Sequence, residues 1–294
     1  MGDVLERPSL GYKMTNIIIE NQIFPEERAL YNLTSSTVRN CAFEGEEDGE
    51  SALKECRNVV VLNSRFSLRY PLWHAKGYSL TDCTMDGFVR APIWYSDNGI
   101  IKNCRIDGIK CLRECKNTVV ESSCIVSDEF GWICDGVEFK DTDITSQYLL
   151  FQSKNISADN LKMKGKYSFQ YCENVVIENS YLDTKDAFWH AKNVTVKNST
   201  VKGEYLAWFS EGLTLIDCKI IGTQPLCYCK DLTLVNCTME ETDLSFEYSD
   251  VKADIIGDIV SVKNPASGYI NAGGIGEIIL ENSIIESKCK INIK

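Results

Sequence analysis

The chain has 294 residues, 44% hydrophobic and 25% charged, and its 31 Lys and Arg against 42 Asp and Glu give a formal charge of −11. That balance, with no Lys/Arg block anywhere, argues against nucleic acid and anionic membranes as partners. The opening Met1-Gly2-Asp3-Val4-Leu5-Glu6-Arg7-Pro8 lacks a signal-peptide core, and no later stretch reaches the length of a membrane span, so the expected compartment is the cytoplasm.

Taken in chain order, residues 1–39, with Pro25-Glu26-Glu27-Arg28-Ala29-Leu30, are expected to form an N-terminal cap and the first strands of a single domain. Residues 40–256 carry a repeat. The phrase apolar–x–apolar–x–Asn/Asp–Ser/Cys–x–apolar recurs with its Asn/Asp slot at Asn40, Asn63, Asp82, Asn103, Ser122, Asp141, Asn160, Asn179, Asn198, Asp217 and Asn236. From 103 to 236 the interval is 19 residues seven times running; the early intervals of 23 and 21 hold Gly45–Gly49 and Arg90-Ala91-Pro92, where loops are expected to bulge. Residues 257–294 are expected to close the rod as an irregular coil and cap.

With the Asn/Asp slot numbered zero, positions −4 and −2 are apolar (Val59 and Val61, Val175 and Ile177, Leu213 and Leu215), the alternation of a strand with one buried face. Position +3 is always apolar (Phe43, Phe66, Ile106, Leu182, Val201) and makes a second short strand. Position −5 is Asn, Gly or Asp, residues that tolerate left-handed backbone, so a corner belongs there. A third strand is expected over about −12 to −7. Three strands and three corners per 19 residues make a solenoid coil, and the missing aliphatic–Gly hexapeptide pattern points away from a left-handed helix. The expected fold is all-β, a single-stranded right-handed parallel β-helix with 19-residue coils and three short strands per coil.

Fourteen cysteines sort onto this frame. Cys41, Cys83, Cys104, Cys218 and Cys237 share +1, while Cys56, Cys115, Cys134, Cys172 and Cys229 share −7 with Ala and Ser. Slots that select small side chains predict buried thiols acting as small hydrophobes, with no metal site, disulfide or cofactor. Cys227 and Cys229 are expected on opposite faces.

The third strand holds the candidate functional residues. Position −6 is almost wholly charged and must face water, and alternation then turns −8 outward, with Glu55, His74, Tyr95 and Glu114 in the early coils. Trp73, Trp94, Trp132, Trp189 and Trp208 stand at −9, and Leu72, Ile93 and Leu112 at −10. Neighbouring positions cannot both face the core of a regular strand, so either the tryptophans or the aliphatics form an outward apolar stripe. Glu55, His74 and Glu114 are the candidate acid–base groups, because carboxylates flanking a histidine suit proton transfer. Lys54, Trp73, Arg90, Trp94, Tyr95 and Arg113 are the candidate ligand-binding groups, because aromatic surfaces beside polar groups suit sugar rings. The second histidine, His190, lies six coils away, about 29 Å, and serves no common centre with the first.

Several phrases resemble the signatures of an uncharacterised bacterial family, a domain of unknown function grouped with pectin-lyase-like right-handed β-helices. They are Gly49-Glu50-Ser51-Ala52-Leu53-Lys54-Glu55, Tyr70-Pro71-Leu72-Trp73, Arg90-Ala91-Pro92-Ile93-Trp94-Tyr95, Lys185-Asp186-Ala187-Phe188-Trp189, Gly203-Glu204-Tyr205-Leu206 and Leu244-Ser245-Phe246-Glu247-Tyr248. The resemblance implies the fold and a bacterial, cytosolic origin, and it brings no catalytic residues. Taken together, the residues suit a carbohydrate-binding or carbohydrate-active (hydrolase- or lyase-like) β-helix, its site on the early flank near residues 50–114. The alternative is a non-catalytic scaffold that binds a protein or its own copy through the aromatic stripe. Whether the chain is an enzyme stays open at this point.

Overall fold

The computed structural model describes residues 15–45 and 49–293. Residues 1–14, part of the expected cap, and the tip of the first loop lie outside the described residues. The chain winds into a right-handed parallel β-helix of about 14 turns with coils of about 19 residues. Among the described residues there is no helix long and apolar enough to cross a membrane.

The repeat sets the register. Arg57–Leu62 pairs with Lys76–Thr81, then Asp97–Lys102 and Lys116–Glu121, always parallel and always slot on slot: Val61 on Leu80, Leu80 on Ile101, Ile101 on Val120. A second sheet stacks Phe66 on Met85 and Met85 on Ile106. In the middle of the rod, strands Asp135–Ser146 and Lys154–Gly165 run through both sheets without a break. The side chains at −4, −2 and +3 fill the interior. Ile18–Glu20 already pairs with Thr37–Arg39, so coiling begins before residue 39.

Both predicted corner slots are left-handed: Asn40, Asn63, Asp82 and Asn103 at zero, and Asn58, Asn98 and Asn117 at −5, all have φ between 42° and 57°. Their amides join coil to coil; Asn63 Nδ2 donates to Asn40 Oδ1 at 2.8 Å and Asn198 Nδ2 to Asn179 Oδ1 at 2.7 Å. The second insertion lies slightly upstream of its expected place. Met85 pairs 21 residues ahead with Ile106, whereas Arg90 pairs 19 ahead with Ile109, so the bulge is Asp86–Val89, with Phe88 thrown out into solvent.

The third side departs most from expectation. It is a run of turns in which every second residue is left-handed: Tyr70, Leu72 and His74 in one coil, Ala91, Ile93 and Tyr95 in the next. Left-handed backbone costs a non-glycine residue roughly 1–2 kcal/mol. Here the peptide groups bond alternately to the coils on either side. Leu72 N donates back to Ala52 O at 2.8 Å, and His74 N donates forward to Trp94 O at 2.9 Å. This zigzag removes the strict alternation of a strand. Leu53, Leu72, Ile93 and Leu112 are buried, the −9 residues beside them sit half out, and −8 points to solvent. Cys227 and Cys229, expected on opposite faces, are both buried for the same reason, because Tyr228 between them is left-handed. All fourteen cysteines are free; Cys124 is exposed, Cys289 half-buried and the others buried.

Candidate functional site

On the early third side, the structure draws the predicted aromatic residues into a stack along the rod axis. The Trp73 and Trp94 rings lie 5.3 Å apart and 4° from parallel. The Arg113 guanidinium lies 4.6 Å above Trp94 and 4.9 Å below Trp132, and Glu129 holds it at 3.1 Å. Each indole N–H donates to the −12 carbonyl of the next coil: Trp73 to Ala91 at 2.7 Å, Trp94 to Lys110 at 2.6 Å, Trp132 to Tyr148 at 3.1 Å. Trp189 and Trp208 repeat the bond, and Gln170 makes it with its amide. The −9 tryptophans and Gln170 are therefore staples between coils. Facing neighbours already cover the ring surfaces of Trp94, so only its edge is offered to a ligand, whereas a sugar packs on a face.

The three proposed acid–base residues are strung out rather than gathered. His74 stacks on Tyr95, centroids 5.0 Å apart. Glu55 lies one coil below His74 and takes the Tyr31 hydroxyl, and that hydrogen bond raises the Tyr31 pKa. Glu114 stands two coils above His74, about 10 Å along the axis, with Tyr95 between them. No hydrogen bond or ion pair links the three among the described residues. The side chains of Lys54, Arg90 and Glu114 form none among the described residues, so these charges remain free to meet a ligand.

A second feature went unnoticed in the sequence. Along the zero corner and the second sheet runs a groove, part of it about 400 Å³ and lined by Asn103, Ser122, Asp141 and Asn160 in one row and Arg105, Cys124, Asp143 and Lys162 in the next. It continues over a more apolar floor of about 250 Å³ that adds Val126, Thr145, Lys164 and Tyr181. Asn160 Nδ2 donates to Asp141 Oδ1 at 2.7 Å, which leaves its second N–H to solvent. Tyr181 is 44% exposed and joins none of the ring stacks among the described residues. The same corner is hollow in the early coils, where Asn40, Asn63, Arg65 and Asp82 line about 310 Å³. No cluster of three or more His, Cys, Asp or Glu suited to a metal ion occurs among the described residues.

A family model described as protein of unknown function, DUF3737, matches residues 17–293. The chain belongs to this family. No curated protein matches it. Among solved structures, the DUF3737 chain is similar to the surface adhesin PfbA of Streptococcus pneumoniae (7% identity, 78% of this chain and 84% of that one, TM-score 0.49). It is also similar to the A-module of the mannuronan C-5 epimerase AlgE6 of Azotobacter vinelandii (12%, 89% and 88%, TM-score 0.30). A third is the catalytic domain of a GH87 alpha-1,3-glucanase (8%, 95% and 63%, TM-score 0.31).

Proposed function

We propose that the protein binds an extended carbohydrate along the groove of its second sheet, as a binding surface and not as an enzyme acting through Glu55, His74 and Glu114. One observation carries this reading. The groove sets a row of amides, hydroxyls and charges beside an unstacked tyrosine, the pairing of ring face and hydroxyl partners that sugars use. A groove that follows the coils favours a chain over a single sugar. The open walls of the groove and the exposure of Asp143 and Lys162 fit binding better than catalysis, which needs enclosed groups of shifted acidity.

A second location rests on Lys54, His74, Arg90 and Glu114, whose charged or polar ends, beside the tryptophan stack, form no hydrogen bond or ion pair among the described residues. A polysaccharide panel tested by affinity electrophoresis checks the reading; retardation by at least one glycan is expected, and none across neutral and acidic glycans contradicts it.

A further inference from the structure

Independently of any ligand, the later coils carry a surface that fits a second copy of this chain. At −6 the charge alternates in sign from Lys76 through Asp97 and Lys116, and the six later coils of that column present Asp135, Lys154, Glu173, Lys192, Glu211 and Lys230, stacked one on the next. The sign alternates at every step. Alternation invites pairing within the rod, yet only the first step closes, Lys154 to Asp135 at 3.4 Å. Glu173, Lys192, Glu211 and Lys230 form no ion pair among the described residues. Beside this column, at −8, Ile133, Tyr171 and Phe209 are 49%, 48% and 45% exposed and alternate with Gln152 and His190, a partly apolar stripe of the kind that marks contact surfaces.

An alternating column has a property that a uniform one lacks: turned end for end about a point between two coils, it sets every charge against one of opposite sign. A two-fold axis crossing the rod between the coils of Glu173 and Lys192 therefore brings the column against itself with all six contacts of opposite sign. Glu173 meets Lys192 of the second copy, Lys154 meets Glu211, and Asp135 meets Lys230. The −8 column is superposed on its own copy by the same axis, so Tyr171 faces the other His190. A shift of one coil would set like charges together. We propose that two copies associate antiparallel through this face, in the register that centres the six later coils, because a shift of two coils restores the signs but slides the exposed apolar −8 side chains out of that shared centre. An isologous contact of this kind closes on itself and stops at a dimer.

Sedimentation equilibrium on the full chain reads the proposal. Wild type is expected to dimerise. Lys192→Glu, which by symmetry spoils two contacts, is expected to weaken the dimer by roughly tenfold or more. The charge swap Glu173→Lys with Lys192→Glu restores both contacts and is expected to restore the affinity. Thermal melts confirm folding; should Lys192→Glu melt early beside its two acidic neighbours, Lys230→Glu takes its place, with Asp135→Lys as the restoring change. A wild-type monomer at every concentration, an unweakened charge-reversed dimer, or a swap that stays monomeric overturns the proposal.

Discussion

The Tyr78 ring lies along the rod axis in the space that a side chain at Gly99 would fill. A β-carbon on Gly99 would stand 2.1 Å from Tyr78 Cζ and 2.2 Å from its hydroxyl. Both residues hold position −4 on successive coils, where the other occupants are mostly aliphatic. Gly99 does not have a positive φ, so its lack of a side chain answers to the ring alone. Gly99→Ala is therefore expected to destabilise the fold by roughly 1–3 kcal/mol through overpacking. In a Tyr78→Val background the same change should cost little. Denaturant unfolding of the double-mutant cycle measures the coupling; equal penalties in both backgrounds would show that the ring is not the cause.

The tryptophan stack makes a different forecast. Trp94→Phe keeps a ring on Arg113 but removes the donor to Lys110 O, and should cost about 1 kcal/mol. Arg113→Lys loses the flat cation between two indoles and its hydrogen bond to Glu129, and is expected to cost a similar amount. Neither change should alter glycan affinity if the stack is a staple. Loss of binding with unchanged stability would move the site to the third side.

Burial pushes the thiols of Cys56, Cys172 and Cys227 up to about 12. Those groups stay protonated near neutrality and lack the reactive thiolate. In the native protein, Ellman titration should find Cys124 first and Cys289 more slowly, and after unfolding without reductant it should count fourteen thiols. A denatured count near half that number would mean disulfides. Cys115→Ser or Cys134→Ser should change stability little and lose no disulfide, because Cys115 Sγ already donates to Ile93 O at 3.0 Å and Ser153, in the same slot, donates to Gly131 O at 2.7 Å.

Asp186 is 6% exposed, and one of its carboxyl oxygens, Oδ1, is buried without a hydrogen-bond partner among the described residues. Burial raises its pKa, with the nearby Glu204 adding to the shift. A folded-state pKa above the unfolded one means that the native protein holds the proton more tightly. Stability from this group is thus full below the unfolded pKa and is lost as pH rises through the folded one. Asp186→Asn should raise the melting temperature at pH 7 by roughly 2 °C and leave it unchanged near pH 3. A melting temperature lowered at pH 7 would show that the charge is stabilising.

Wherever a slot has one job in every coil, the sequence is legible. The apolar −4, −2 and +3 positions and the Asn or Asp corners at zero and −5 give the coil length, two of its sides and its register, since each corner needs left-handed backbone that those residues accept. The third side hides because Leu72, His74 and Ile93 also take left-handed backbone, and such residues carry no sign of it; contacts with the coils above and below impose the shape. The choice between tryptophans and aliphatics could not be made without that zigzag. The groove hides for another reason. Arg105, Cys124, Asp143, Lys162 and Tyr181 occupy one outward slot but differ from coil to coil, so no ladder draws the eye to them. Tyr181 alone, an aromatic at +2, was a usable signal.

The most direct test of groove binding is the affinity of a retained glycan for two variants measured side by side by isothermal titration. Tyr181→Ala removes the exposed ring of the groove, and His74→Ala removes the imidazole of the early third side; both side chains are solvent-exposed, so neither change should unfold the rod. Loss of binding in Tyr181→Ala with wild-type affinity in His74→Ala is the predicted result. Wild-type affinity in Tyr181→Ala with binding abolished in His74→Ala would contradict it and return the site to the face that holds Glu55 and Glu114.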